Sequence, residues 1–418
     1  MSKYSEYINQ ERLKNNFIKM AEIDTGSCEE TKTGIEPSTQ KQVKFAKEIL
    51  IPLLESINNL EDIKIDKTGI VTAYLQGNTE TQYTLGLIAH MDTSEQAPTG
   101  PVQVKIHDYK TGNIELLSGT IIDETDLTPY KNHTIITSDG TTLLGADDKA
   151  GIAEIIEAIT VLTEHPEIKC PNIKIAITPD EEIGEGVTYF DIEKFGANTA
   201  YTVDGSEAEN IESETFNAFN PEIIINGIPV HCGHAYKKMV NAIEVANSII
   251  SKLPKSEKPE TTQDREGYYH VDGINGDVNR VVIKMLVRDF DFNNAKKRIE
   301  FLKNLIKETE QEYLGCTIEF KENEKYHNMK EKLMERPEVI EYAKEAIIRS
   351  GLEPKEPVVR GGTDGAMLTL RGLLTPNLGT GGVNFHSKKE FISVQIMKKC
   401  CENVINLVNV WAEKIDKQ

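Results

Sequence analysis

The sequence predicts an α/β chain with a mixed sheet flanked by helices, interrupted by a smaller α+β insert. Three observations carry this. Strand-length apolar runs alternate with helix-period stretches up to about residue 215 and again after about 326. Several of those runs end on a histidine or a carboxylate, where open α/β sheets place their binding crevices. Between 216 and 325 the alternation gives way to two long amphipathic stretches and three or four strand-like runs, the pattern of a compact ferredoxin-like module.

Bulk composition narrows the partners. A chain of 418 residues exceeds a single hydrophobic core, and 39% hydrophobic with 27% charged residues describes an ordinary globule. Lys and Arg total 47 against 67 Asp and Glu, a net charge of −20, so the surface repels phosphate backbones and anionic lipid. Neither nucleic acid nor membrane is an expected partner, and no window approaches the ~18 apolar residues of a membrane span. The opening Met1–Glu6 lacks the basic flank and apolar stretch of a signal peptide. Six scattered cysteines show neither CxxC spacing nor the density of a disulfide framework. A cytoplasmic location is expected.

Taken in order, 4–22 reads as an amphipathic helix and 39–57 as a second. Strands are expected at 69–75, 84–89, 134–137, 173–178 and 200–203, with a helix over 151–164. In the insert, 216–225, 281–290 and 316–320 read as strands, 236–253 and 293–313 as helices, and polar 254–267 as a loop. A further helix covers 337–350.

The chemistry lies at the ends of these runs. His90-Met91-Asp92 follows an apolar strand, and a metal-bound imidazole commonly gives its other N–H to a carboxylate such as Asp92; a capped turn reads equally well. Asp147 and Asp148 stand between glycines before a helix, where capping explains one acid better than two. A carboxylate has two oxygens, so Asp147 can bridge a pair of divalent ions. Asp180, Glu181 and Glu182 crowd the end of the next strand and repel one another unless cations compensate. One glutamate can then ligate a metal while its neighbour takes a proton from water. Asp204 repeats the pattern of strand, carboxylate and glycine, and His386 follows a glycine-rich loop. Arg288 and Arg360 have the guanidinium fork that suits a substrate carboxylate, although a structural ion pair fits each as well; His231 is similarly open.

The strings LIAHMDT, LLGADDKAG, TPDEEIG, TVDG, RGGTDGA and NFHSKKEF, in that order, together with VHCGHAYKKMVNAI, EGYYH and VRDFD in the insert, resemble the metallopeptidase M20 family over nearly the whole chain. The resemblance implies a di-zinc catalytic domain over 1–215 and 326–418. It also implies an inserted lid over 216–325 through which the protein forms a homodimer. Carried onto this sequence, His90 and Asp204 would hold one zinc, Glu182 and His386 the other, and Asp147 would bridge them. Asp92 would orient His90, and Glu181 would be the general base acting on a water between the metals. His231 would reach into the partner subunit's site and steady the oxyanion there, and Asn279, Arg288 and Arg360 would bind substrate. A cis peptide between Asp147 and Asp148 is also implied. The implied activity is release of the N-terminal residue from tripeptides. Related dipeptidases, carboxypeptidases and acyl-amino-acid deacylases share the zinc set, and a silent binding protein on the same fold would lack the base or a ligand. Three residues depart from the family pattern: Cys232 stands where proline is usual, and Ser206 and Ser387 where glycine is.

Overall fold

The computed structural model describes residues 3–415 and divides into two compact units. The larger takes in the chain up to Ser213, Lys332–Pro357, and Thr363 onward. The smaller comprises Glu214–Glu331 and a short return, Val358–Gly362. The sequence reading left that return, with Arg360, in the outer part of the chain.

The larger unit is built on a seven-stranded sheet in the order Leu60–Ile65, Val71–Leu75, Asn172–Thr178, Thr84–His90, Thr199–Gly205, Asn377–Gly379, Ile211–Glu212. The four strands from Asn172–Thr178 to Asn377–Gly379 run parallel, and the remaining pairings are antiparallel. The sheet is therefore mixed, as expected. Its central strands are buried almost throughout, which is why they read as continuous apolar runs rather than alternating ones. Helix Ala146–Glu164 is correspondingly buried on nearly all sides. It lies so close to the Asp204 strand that a Cβ added at Gly151 would sit 1.8 Å from the Val203 carbonyl oxygen. A second sheet, in the order 382–383, 391–393, 134–137, 105–108, was invisible in sequence except for Thr134–Thr137: two of its strands are only two and three residues long, and Lys105–Asp108 has Ile106 as its one aliphatic residue.

The smaller unit carries a six-stranded antiparallel sheet with helices Ala242–Ser251 and Phe292–Glu312 packed on it. Along Arg280–Asp289, Val281, Ile283, Met285 and Val287 alternate inward. They meet Ile299, Leu302 and Ile306, spaced three and four apart on the long helix.

Three expected elements change. The run 216–225 splits into Asn217–Phe219 and Glu222–Asn226 around Pro221, which has no N–H to donate to a ladder. The helix expected from 236 starts only at Ala242: Lys237 has a positive φ, Val240 bridges to Ile228, and the Asn241 side chain accepts the Ile243 N–H as a cap. The opening helix begins at Gln10 rather than residue 4, capped by Asn9, although Tyr4 and Ile8 are still buried ahead of it.

Candidate active site

The parallel strands deliver their last residues to one edge of the larger unit's sheet. His90 ends its strand, Glu181 and Glu182 follow Thr178 by a short turn, and Asp204 is the penultimate residue of the next strand. Asp147 stands at the start of helix Ala146–Glu164, and its peptide bond to Asp148 is cis, as the resemblance implied. His386 lies on the hairpin between Gly382–Val383 and Phe391–Ser393.

These segments converge. Nε2 of His90 lies 2.9 Å from Asp147 Oδ1 and 3.3 Å from Asp204 Oδ1. Nε2 of His386 lies 3.0 Å from Asp147 Oδ2 and 3.0 Å from Glu182 Oε1. The donors fall into two groups, His90–Asp147–Asp204 and Asp147–Glu182–His386, whose ligand atoms lie within 4.8 Å of one another. Asp147 gives one oxygen to each.

The site fits a pair of cations on its own chemistry. Glu182 Oε1 is buried and, among the described residues, has no hydrogen-bond partner, although it is within 3.0 Å of His386 Nε2. Such atoms point at a common centre rather than at each other. The charge balance agrees. Burial works against a charged His386, yet its hydrogen bond to Asp147 and the nearby carboxylate of Glu182 raise it to about 10. Burial lifts Glu182 to about 7, with repulsion from Asp147 adding to it. Burial also lifts Asp204, to about 6, against the pull of His90. Protons thus hold together a cluster of acids and imidazoles that cations would otherwise neutralise, and metal binding to such a set releases them.

The support around this cluster is as specific as the donors. Asp92, fully buried, has Oδ1 3.3 Å from His90 Nδ1. Its two oxygens also accept the backbone N–H groups of Glu181 at 3.0 Å and Glu182 at 3.1 Å. One carboxylate therefore holds the acidic turn and faces the His90 imidazole. Glu181 is pushed well above the usual carboxylate range by burial and by the charge of Asp204. Its Oε1 accepts the Asp364 N–H at 3.3 Å. Asp148 does not join the cluster; its carboxylate accepts from His90 N at 3.1 Å and Gly151 N at 3.2 Å, tying strand to helix.

Sequence reasoning missed part of this frame. Asp180 was one of three adjacent acids, but it turns away from the other two. Its buried carboxylate accepts from Lys32 Nζ (2.9 Å), Ser38 N (2.8 Å), Ser38 Oγ (2.5 Å) and Gln42 Nε2 (2.7 Å). With its left-handed backbone, Asp180 anchors the turn that carries Glu181 and Glu182. No sequence signal marks Lys32, Ser38 and Gln42 as its partners, because they lie about 140 residues away. Asp364, inside RGGTDGA, accepts from Thr178 Oγ1 at 2.8 Å and was not singled out.

The remaining expected residues lie in the smaller unit. The Arg288 guanidinium donates to the Phe219 and Val287 carbonyls at 2.9 and 3.1 Å. Arg360 donates to the Asp264 and Glu266 carbonyls, both at 2.9 Å, and to Thr262 Oγ1 at 2.8 Å, above the Phe216 and Tyr268 rings. Among the described residues neither arginine makes the acidic ion pair considered as its structural role. His231 is exposed, and its Nδ1 accepts the Gly233 N–H at 3.1 Å, so a neutral ring carries its proton on Nε2. Asn279 is exposed in the turn before strand Arg280–Asp289. Two of the departures have local partners: Ser206 Oγ donates to Glu212 Oε1 at 2.9 Å, and Ser387 Oγ to the Asn384 carbonyl at 2.7 Å.

Comparison with known proteins places the chain among peptidases. The chain is 42% identical over 410 residues to a peptidase T from Caldanaerobacter subterraneus subsp. tengcongensis, covering 96% of this chain and 99% of that one. Its fold is similar to the crystal structure of the aminopeptidase PepT from Bacillus cereus, with a TM-score of 0.75 at 26% identity over 97% and 99% of the two chains. It is similar also to a tripeptidase from Staphylococcus aureus, with a TM-score of 0.76 at 23% identity over the same shares. Residues 123–409 match the peptidase family M20/M25/M40, and the chain belongs to that family.

Proposed function

We propose that this metallo-aminopeptidase binds two zinc ions and hydrolyses tripeptides, releasing the N-terminal residue. The observation that carries the reading is the single Asp147 carboxylate shared between two three-residue donor groups, with Glu181 on the neighbouring turn. Imidazole nitrogens with carboxylate oxygens and no thiolate suit zinc. His90 and Asp204 would hold one ion, Glu182 and His386 the other, and Asp147 both. Bound cations would supply Lewis acidity, polarising the scissile carbonyl and acidifying a water.

The chain's own residues do the rest. Asp92, facing Nδ1 of His90, would orient that ring. Glu181 takes the proton of the attacking water on its carboxylate and hands it to the departing amine, a role suited to a carboxyl raised by burial. His231, with its proton on Nε2, would donate to the oxyanion developing in the partner subunit's site. Arg288 and Arg360, with Asn279, would receive the peptide's carboxylate and so set substrate length. The tripeptide assignment follows the family resemblance and is supported by the 42% identity to a peptidase T.

A panel of di-, tri- and tetrapeptides with free or blocked amines tests this. Turnover should be confined to tripeptides with a free amine, vanish on chelation, and return with zinc. Preference for dipeptides or amine-blocked substrates would instead indicate one of the sister activities, and turnover indifferent to chelation would refute the metal chemistry.

A homodimer formed through the smaller unit is part of the reading. It is supported by exposed apolar side chains there, Tyr236, Ile243, Ile274 and Leu314. Light scattering should give about twice 46.8 kDa, whereas a monomer mass would exclude the dimer. A cytoplasmic location is supported by six free cysteines, and cell fractionation tests it. Among the described residues no helix is long and apolar enough to cross a membrane.

A further inference from the structure

Glu390 lies four residues beyond His386, at the foot of the strand Phe391–Ser393, and is buried. Its carboxylate meets three backbone donors from one loop. Oε2 accepts from Leu144 N at 2.7 Å and Gly145 N at 2.8 Å, and Oε1 accepts from Asp147 N at 3.2 Å. Successive backbone N–H groups turned towards one point form an anion-binding concavity. Here the chain fills that concavity with its own acid.

This is not helix capping. Asp147 and Asp148 have non-helical backbone angles, so the regular helix begins after them, and its own first-turn donor Gly151 N goes to Asp148 Oδ1 at 3.2 Å. The three donors that Glu390 accepts belong to the loop ahead of the helix, the segment that aims Asp147. The two oxygens of Asp147 in turn reach His90 and His386. Glu390 shares a hairpin with His386: Val383 pairs with Phe391 across it, and Glu390 N donates to the Ser387 carbonyl at 3.3 Å.

We infer that Glu390 is a positioning residue that locks the His386 hairpin to the Asp147 loop, holding the shared carboxylate and the second imidazole in register before any ion arrives. The inference rests on the two-metal reading and adds to it a residue that touches neither metal nor substrate. The preorganisation it supplies belongs to metal affinity rather than to the proton transfer by Glu181.

The test is Glu390→Gln, which keeps the side chain's size and one accepting oxygen but turns an NH₂ towards one of the three donors. Metal is removed from wild type and variant, each is titrated with Co²⁺ in place of zinc, and the visible absorption of the bound ion is read along with affinity. Loss of a carboxylate that orients ligands typically weakens metal binding about 10- to 100-fold. Glu390→Gln should show that loss with an altered cobalt spectrum, and Glu390→Ala a larger one, while the wild type takes up two ions. A control at a comparably buried carboxylate outside the cluster, Glu402→Gln, should leave affinity and spectrum unchanged. Equal cobalt affinity and an unchanged spectrum in Glu390→Gln would overturn the positioning role. A wild type that binds no cobalt would instead remove the two-metal reading beneath it.

Discussion

Glu181→Gln should lower kcat by about 10²- to 10⁴-fold, the usual contribution of a positioned general base, while both metal ions stay bound. The substitution is isosteric, and the residue's backbone N–H, held by Asp92 Oδ1 at 3.0 Å, is unchanged. The remaining side-chain oxygen can still accept the Asp364 N–H that the native carboxylate accepts at 3.3 Å. What disappears is a carboxyl able to take and return a proton. Glu182, one residue on, belongs to the Asp147–Glu182–His386 group and is untouched. Steady-state kinetics alongside metal analysis separates the possibilities. A variant with native kcat eliminates Glu181 as the base, and one that has lost its metals assigns it to ligation instead.

Asp147→Ala should have the opposite signature, losing metal first and activity as a consequence. Each three-residue group drops to two donors: His90 with Asp204, and Glu182 with His386. The loss should exceed the roughly 100-fold that marks removal of a group merely orienting a ligand. It should also be felt at both positions, because the carboxylate serves both. Equilibrium dialysis gives the stoichiometry directly. Two ions per chain at native affinity in Asp147→Ala would show that the carboxylate bridges nothing. Loss of one ion with the other unaffected would confine it to a single position.

The sequence was most legible where one strand delivers one residue. His90, Asp204 and the Glu181–Glu182 turn could be placed from the apolar runs before them, since a parallel strand buried on both faces leaves little else for its last residue to do. His386 was harder. Its flanking strands are two and three residues long, and nothing in a lone histidine after a glycine-rich loop says that it meets Asp147, 239 positions earlier. The family resemblance, not periodicity, assigned it. The frame behind the donors was least legible. Asp180 and Asp92 look alike in sequence, yet one accepts from Lys32, Ser38 and Gln42 and the other from the backbone of residues 181 and 182. Burial and partner choice are decided in three dimensions, where a carboxylate goes to whichever donors the fold leaves over. The insert erred in a different way. Apolar spacing at 236–241 looks helical, but the bridge of Val240 to Ile228 takes those backbone groups for itself.

The return segment Val358–Gly362 has a practical corollary for anyone wishing to study the smaller unit in isolation. A contiguous gene fragment spanning Glu214 to Glu331 would omit five residues that belong to it. The carbonyls of Asp264 and Glu266 would lose the guanidinium of Arg360, and Phe216 and Tyr268 the cation above their rings. A faithful minimal version needs those five residues grafted back through a linker.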